Sequence, residues 1–406
     1  MRTHHGVTST MSSLRHIIRH TSSRINGAVA RSLDKAFVQA AFRTTPHPDQ
    51  VPPTAQMTAR LDEATIVYAQ AAADGILYQE PARPRVETTQ MRTHYGSDGA
   101  VFDLQWPSGY TPIHRRYDAA LEQCPETRTC HARWFAHTDV APVMICLHGW
   151  GAGEYFSEQL AFPVRWMFEH CGLDIILMNM PFHARRKAKQ GRTPSFPGPD
   201  PMRSVEGFAQ TVHDVRTLVS ILLSRGVPWV GVMGMSLGGY TSALLATAEP
   251  RLACAVPLMP FASLPDLIWQ HSSGTASHLA AIEAGVTLQR YRDAMYTITP
   301  LNRTPRIDTT RILIGAGERD GITPATHAHA LHEHFDGSHL RLFPGGHLYQ
   351  YGRSQVFTAF ESFLQHHGLH PKGGYHAPHP LTLSGDDKPL RPIELSHQRL
   401  SARHSL

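Results

Sequence analysis

This chain has few of the features that usually betray a function at first sight. It has 5 cysteines in 406 residues. They do not suggest a disulfide scaffold, and the odd count, with no secretory signal evident, favours a reducing compartment. Cys124 and Cys130 are near enough in sequence to bridge, but nothing demands it. Cys146 and Cys254 fall in apolar, strand-like runs, and Cys171 at a helix end. No apolar run approaches the length of a membrane span, and the longest, 175–180 and 253–261, suit buried strands. The N-terminus lacks the continuous apolar stretch of a secretory signal. There is no glycine-rich phosphate loop, no nucleotide fingerprint and no basic patch interleaved with aromatics, so nucleic acid is not an expected partner. His327, His329, His332 and His334 fall on one helical stretch but cannot all share a face, so no metal site is expected there. Oligomeric state leaves no trace in the sequence.

Acidic residues are also scarce at the start. Residues 1–45 hold arginines 2, 15, 19, 24, 31 and 43 and Lys35 against Asp34 alone, a net +6, whereas the whole chain is +5. The chain's basicity is therefore local. This segment reads as a basic helical extension, from about Ser13 to Ala41, with a partial apolar stripe of Ile17, Ile18, Val29, Leu33 and Phe37. Such a composition is also that of an organellar targeting segment, the alternative to a cytoplasmic location.

The most informative stretch is Gly234-Met235-Ser236-Leu237-Gly238. The run 229–233 before it reads as a short buried strand, and Ser242 to Ala246 after it favours helix. A strand-turn-helix with Gly-x-Ser-x-Gly at the turn is a nucleophile elbow. Its glycines are needed where a Cβ would strike neighbouring backbone. The helix N-terminus beneath the serine offers unpaired N–H groups to developing negative charge.

Such a serine needs an imidazole base, a carboxylate to orient it and oxyanion donors. Residues 311–315 read as a buried strand ended by Gly315 and Gly317, with Asp320 on the loop beyond and Pro324 opening the next helix. Asp320 is preferred to its rival Glu318, which sits nearer the strand and lacks the Asp-x-Ile-x-Pro context. His347 follows another short strand, 340–343, and a glycine pair, with a helix from about Ser354 to Gln365 after it. Its place after the last strand separates it from the chain's other histidines. The apolar run 143–147 leads into His148-Gly149-Trp150-Gly151. There the N–H of Trp150 pairs with that of Leu237 as the expected oxyanion hole, and His148 has a structural role.

Four motifs in this order resemble the α/β-hydrolase superfamily, over roughly residues 90–367, in a little-characterised, esterase- or lipase-like branch. The resemblance implies an α/β fold with a mostly parallel, doubly wound sheet, an antiparallel edge and a helical lid. The antiparallel edge is expected in the strand-rich segment 88–137. Asp200 and Pro201 open a helix with the stripe Phe208, Val212, Val215, Val219 and Leu222. Arg185 to Arg203 read as a solvated basic loop, with greeting an anionic substrate as the rival reading. Residues 261–308 read as the lid, with Leu264, Leu267, Ile268 and Trp269 lining a substrate pocket. The expected organisation is an extension at 1–45, a catalytic domain at 46–367 and a disordered tail at 368–406.

The expected function is a serine hydrolase that cleaves a small-molecule carboxylic ester through an acyl-enzyme on Ser236, with His347 and Asp320 completing the triad and no cofactor. Acyl transfer or thioester cleavage would use the same residues. A non-catalytic binding protein on this fold is the third reading, disfavoured by three intact candidates.

Overall fold

The computed structural model describes residues 26–40, 54–188 and 196–371. Expectations for Ile17, Ile18, the stretch 189–195 and the tail from 372 onward fall outside these residues. Helix α1 covers residues 26–40. Helix α2 (Thr54–Ala73) precedes a hairpin of β1 (Glu87–Tyr95) and β2 (Gly99–Pro107), then α3 (Arg115–Gln123) and β3 (Thr129–His137). An alternating region follows: β4 (Val143–Leu147), α4 (Tyr155–Ala161), α5 (Val164–Glu169), β5 (Asp174–Met178), α6 (Pro201–Ser224), β6 (Val230–Met235), α7 (Leu237–Ala246) and β7 (Cys254–Leu258). Three short helices come next, α8 (Leu264–Ser272), α9 (Ala276–Glu283) and α10 (Leu288–Ala294). The chain closes with β8 (Leu313–Gly317), α11 (Ala325–His334), β9 (His339–Phe343) and α12 (Ser354–His366).

The strands form one nine-stranded sheet in the order β1-β2-β3-β5-β4-β6-β7-β8-β9. Strands β4 to β9 run parallel, while β1, β2 and β3 make the antiparallel edge. Every residue of β4, β5, β7 and β8 is buried. Helices cover both faces of such strands, which is why these segments, apart from Asp174 at the start of β5, are apolar instead of alternating. Two apolar clusters lie on the helix-covered sheet, one around Phe208, Tyr240 and Phe261, the other around Phe168, Met233 and Phe360. Among the described residues, no helix is long and apolar enough to cross a membrane.

Several elements differ from the sequence reading. Segment 88–137 is not strand throughout, because α3 lies between β2 and β3. Helix α2 was not expected at all; its buried positions Leu61, Ala64, Tyr68 and Ala71 follow helical spacing in a sequence of weak contrast. Together α2 and α3 cover the outer side of α6. Helix α6 is consequently buried nearly all round, well beyond its expected stripe. Glu206 on α6 accepts from Tyr68 Oη (2.9 Å), Tyr110 Oη (3.1 Å) and the N–H groups of Ile113 and His114 (both 2.8 Å). Burial nonetheless pushes its carboxyl up to about 7. Asp200 caps α6 through the N–H groups of Met202 and Arg203.

Gly317 is the last residue of β8, as expected, whereas Gly315 lies inside the strand. A Cβ at Gly317 would come 2.6 Å from Gly345 O, so the close approach of the loop that follows β9 demands the glycine. The described part of the basic loop is solvated only in part: Arg185 and Lys187 are exposed, but two other cations turn inward. Arg186 is fully buried, paired with Asp214 at 2.8 Å, and its Nη2 donates to Thr127 O at 2.6 Å. Arg185 pairs with Asp103 at 3.2 Å, and Arg203 lies over the Phe182 ring. All five cysteines are free and buried, so Cys124 and Cys130 do not bridge.

Candidate active site

Strand β6 delivers Ser236 into a conformation that side chains rarely adopt, φ 57° and ψ −110°. Strain of this kind costs about 1–3 kcal/mol and persists where surrounding structure enforces it. Here the enforcement is visible. Ser236 N–H donates to Leu258 O at 2.8 Å, and Tyr240 N–H to Ser236 O at 2.9 Å. A Cβ at Gly234 would stand 2.0 Å from Gly238 O, and one at Gly238 1.9 Å from Leu147 O. No side chain fits at either position, and the serine is left half-buried at the carboxyl edge of the sheet.

The loop after β8 carries Asp320 and the loop after β9 carries His347. Asp320 Oδ2 lies 2.7 Å from His347 Nδ1. Its Oδ1 accepts from the N–H groups of Ile322 (2.9 Å) and Thr323 (2.7 Å), and the Thr323 hydroxyl donates to Oδ2 at 3.0 Å. A carboxylate with this many donors is oriented firmly. The arrangement assigns the His347 proton to Nδ1 and leaves Nε2 to accept one. Burial alone would lower the His347 pKa. The charge and hydrogen bond of Asp320, with Asp34 further contributing, outweigh it and raise the imidazole above its ordinary value. Glu318, the rival carboxylate, is exposed. Gln350 Nε2 donates to His347 O at 2.8 Å and lies 3.7 Å from Met235 Sδ, which ties the base loop to the elbow. The Ser236 hydroxyl makes no hydrogen bond to the ring among the described residues. Such bonds commonly tighten only as substrate closes the site.

The loop after β4 lies against the elbow. A Cβ on Gly149 would sit 3.7 Å from both Ser236 Cβ and Met235 O. Among the described residues, neither Trp150 N–H nor Leu237 N–H is spent on a backbone carbonyl. His148 has both ring nitrogens engaged, Nδ1 with Gly149 O at 2.8 Å and Nε2 accepting from Met180 N–H at 3.0 Å. Burial lowers it to about 4. His183 packs beside it, ring centroids 5.0 Å apart. It engages Pro181 O through Nδ1 at 2.8 Å, and burial lowers it to about 3.

Residues 140–349 match the family model described as Serine hydrolase (FSH1), just over half of the chain. The chain belongs to the serine hydrolase (FSH1) family. It is 30% identical over 278 residues to the uncharacterized proteins MT2702 and Rv2627c of Mycobacterium tuberculosis strains CDC 1551 / Oshkosh and ATCC 25618 / H37Rv. The match takes in 68% of this chain and 62% of theirs, so the chain spans under two thirds of these curated relatives. Among solved structures it resembles an acetyl xylan esterase from Paenibacillus sp. R4, with TM-score 0.51, 15% identity, and 77% of this chain and 97% of that chain covered. That likeness shows the α/β-hydrolase fold. Ser236, Asp320, His347, Trp150 and Leu237 all fall inside the matched span.

The expected pocket residues divide. Leu264 is buried in the main core, whereas Leu267, Ile268 and Trp269 are half-buried against it. The Trp269 ring meets His278 of α9 edge-on at 4.5 Å. His271 Nε2 contacts Ile322 O at 2.7 Å, which joins the lid to the loop of Asp320. The four clustered histidines go separate ways: His327 to Ala262 N–H, His332 to Ser338 and His334 to Arg303 O, while His329 is exposed. Among the described residues, no group of three or more His, Cys, Asp or Glu gathers for a metal. The sequence reading missed Asp34 and Gln350. The one signal for Asp34 was its being the lone acid of a basic segment.

Proposed function

We propose that this serine hydrolase cleaves carboxylic esters through an acyl-enzyme on Ser236. The observation that carries the reading is the 2.7 Å Asp320–His347 bond at the same sheet edge as a serine strained into the elbow. His347 Nε2 takes the Ser236 proton as Oγ bonds to the acyl carbon, and the alcohol departs with that proton. Water then attacks the acyl carbon, gives a proton to His347, and the acid leaves as Oγ regains it. The N–H groups of Leu237 and Trp150 hold the oxyanion in both steps. The lid side chains Leu267, Ile268 and Trp269 border the acyl or alcohol site, on residues 46–367 as one catalytic domain.

Labelling with a fluorophosphonate, with the modified peptide identified by mass, tests the nucleophile. A series of p-nitrophenyl esters beginning at acetate tests the bond class. Label on Ser236 and ester turnover support the reading; label elsewhere, or labelling without turnover of any ester, overturns it.

A further inference from the structure

We propose that Asp34 is a positioning residue of the active site, and that helix α1 uses this one carboxylate to hold the acid loop and the base loop in register. The proposal rests on the triad reading above and adds a residue far from it in sequence. Asp34 is fully buried. Its Oδ2 accepts from Gly321 N–H and from His347 N–H, each at 2.9 Å, and its Oδ1 accepts from Leu348 N–H at 2.9 Å. Gly321 follows Asp320, and His347 is the base itself. One carboxylate therefore grips the backbone on both sides of the Asp320–His347 bond.

The fit around it is close. A Cβ at Gly346 would stand 2.7 Å from Asp34 Oδ2 and 3.0 Å from Ala30 Cβ, and one at Gly27 would stand 2.3 Å from Arg319 Nε. Helix α1 thus seats on the loops through Gly27, Ala30 and Asp34. Its apolar stripe faces away: Val29, Leu33 and Phe37 are 44%, 46% and 37% exposed. Attaching a helix to a protein is cheapest through apolar area. Burying a carboxylate instead is costly and is offset here by three charge-assisted bonds to backbone N–H groups. All three donors belong to loops that carry the triad candidates. A device for attachment alone would have used the stripe.

The charges facing His347 have the same sense. Asp320 comes from the acid loop and Asp34 from α1, and both favour the protonated ring. Thr323 contributes a neutral hydroxyl 3.1 Å from Nδ1. The nearby Arg319 guanidinium is directed to Pro344 O and the Tyr351 hydroxyl. Loss of the Asp34 charge should lower the pH at which His347 titrates.

The test compares the full-length wild type with Asp34→Asn, Asp34→Ala and, as a control on the exposed side of the same helix, Lys35→Gln. Thermal melts establish folding, p-nitrophenyl acetate gives kcat and KM, and NMR titration follows the His347 ring, assigned by its loss in His347→Gln. The expected result for Asp34→Asn is a fall in kcat approaching about 10²-fold, the scale of a slight misplacement of catalytic groups, with KM within about twofold. The His347 titration and the acid limb of kcat/KM should both move to lower pH, and Lys35→Gln should match wild type. Should Asp34→Ala not fold, the near-isosteric Asn variant carries the test. A folded Asp34→Asn with wild-type kcat and an unmoved titration overturns the proposal, as does a change in KM alone. The ring titration does not depend on turnover. A shifted titration in a protein that never labels at Ser236 would sink the ester-hydrolase reading and leave the coupling of Asp34 to His347 standing.

Discussion

Two groups of buried imidazoles flank the elbow, and they differ in what faces them. On one side His347 meets the carboxylates of Asp320 and Asp34, and its pKa is raised in spite of its burial. On the other, His148 and His183 meet carbonyls, an N–H and each other, with Arg186 nearby, and burial lowers them to about 4 and about 3. Burial is similar on both sides, with exposures of 8%, 1% and 1%. The nearby carboxylates therefore decide which imidazole can carry a proton near neutrality. His347 is suited to proton transfer, while His148 and His183 are held neutral and serve as shaped spacers behind the loop of Trp150.

The largest effects should come from breaking the charged side. Ser236→Ala or His347→Ala should each cut ester turnover about 10³-fold or more, with far-UV circular dichroism unchanged, because groups acting as a unit fail together. An alanine at 236 that kept near-full turnover and still took up the fluorophosphonate would remove the serine from the mechanism. Asp320→Asn should lower kcat about 10²-fold or more, since it disturbs both the tautomer and the charge stabilisation of the ring. Glu318→Gln should remain close to wild type because that side chain is exposed. The reverse ranking would show that the carboxylate has been misassigned.

The pH profile sharpens the same contrast. Only neutral His347 can accept the Ser236 proton, and its pKa is raised, so kcat/KM should fall as pH drops, with an acid limb above the ordinary 6.5. Asp320→Asn should move that limb downward. A limb below 6.5 in the wild-type protein would contradict the electrostatic picture.

Much of this site was legible because its motifs are local. Gly234 to Gly238 need one another within five residues, and the apolar runs at 143–147, 174–178 and 254–258 are buried on both faces, so composition alone marks them as strands. What stayed hidden depends on distant partners. Helix α2 gains its place by covering α6 and has no strong pattern of its own, while α3 is a nine-residue run whose buried face of Tyr117, Ala120 and Leu121 shows its partner only in the fold. Arg186 reads as one more cation in a basic loop until Asp214 and Thr127 are brought to it. Asp34 is 313 residues from His347 along the chain. No spacing rule reaches that far.

A smaller effect concerns the lid. Trp269 packs on His278, and the proposed function has it border the acyl or alcohol site. Each methylene accommodated in an apolar pocket contributes about 0.8 kcal/mol, so activity should rise with acyl length over a few carbons. Trp269→Ala should shift that optimum more than it slows acetate turnover. A flat profile, unchanged by the substitution, would show that the lid does not select the substrate.

The smallest effect should appear in stability on the neutral side. His183 titrates near 6.5 when unfolded and near 3 in the folded protein, because burial, then the charge of His148, disfavours its protonated form. Below pH 6.5 the unfolded chain therefore binds more protons than the native one, and stability falls with pH until the native ring also titrates. A ring of this kind contributes a slope of about 1.4 kcal/mol per pH unit within that window. His183→Phe removes the titration and keeps an aromatic ring beside Phe196, at the cost of the bond to Pro181 O. Near pH 7.5 its stability should lie within about 1–3 kcal/mol of wild type, the range for one unsatisfied buried carbonyl. As the pH is lowered toward about 5, the wild type should lose stability faster than the variant, read from urea midpoints at each pH. His347→Gln supplies the opposite sign. Its raised native pKa stabilises the fold below the unfolded value and loses that contribution as pH rises through the folded one, so the wild type's advantage should shrink on the alkaline side. If the His183→Phe and wild-type curves run parallel, the ring is not held neutral, and the contrast between the two sides of the elbow fails at its weaker end.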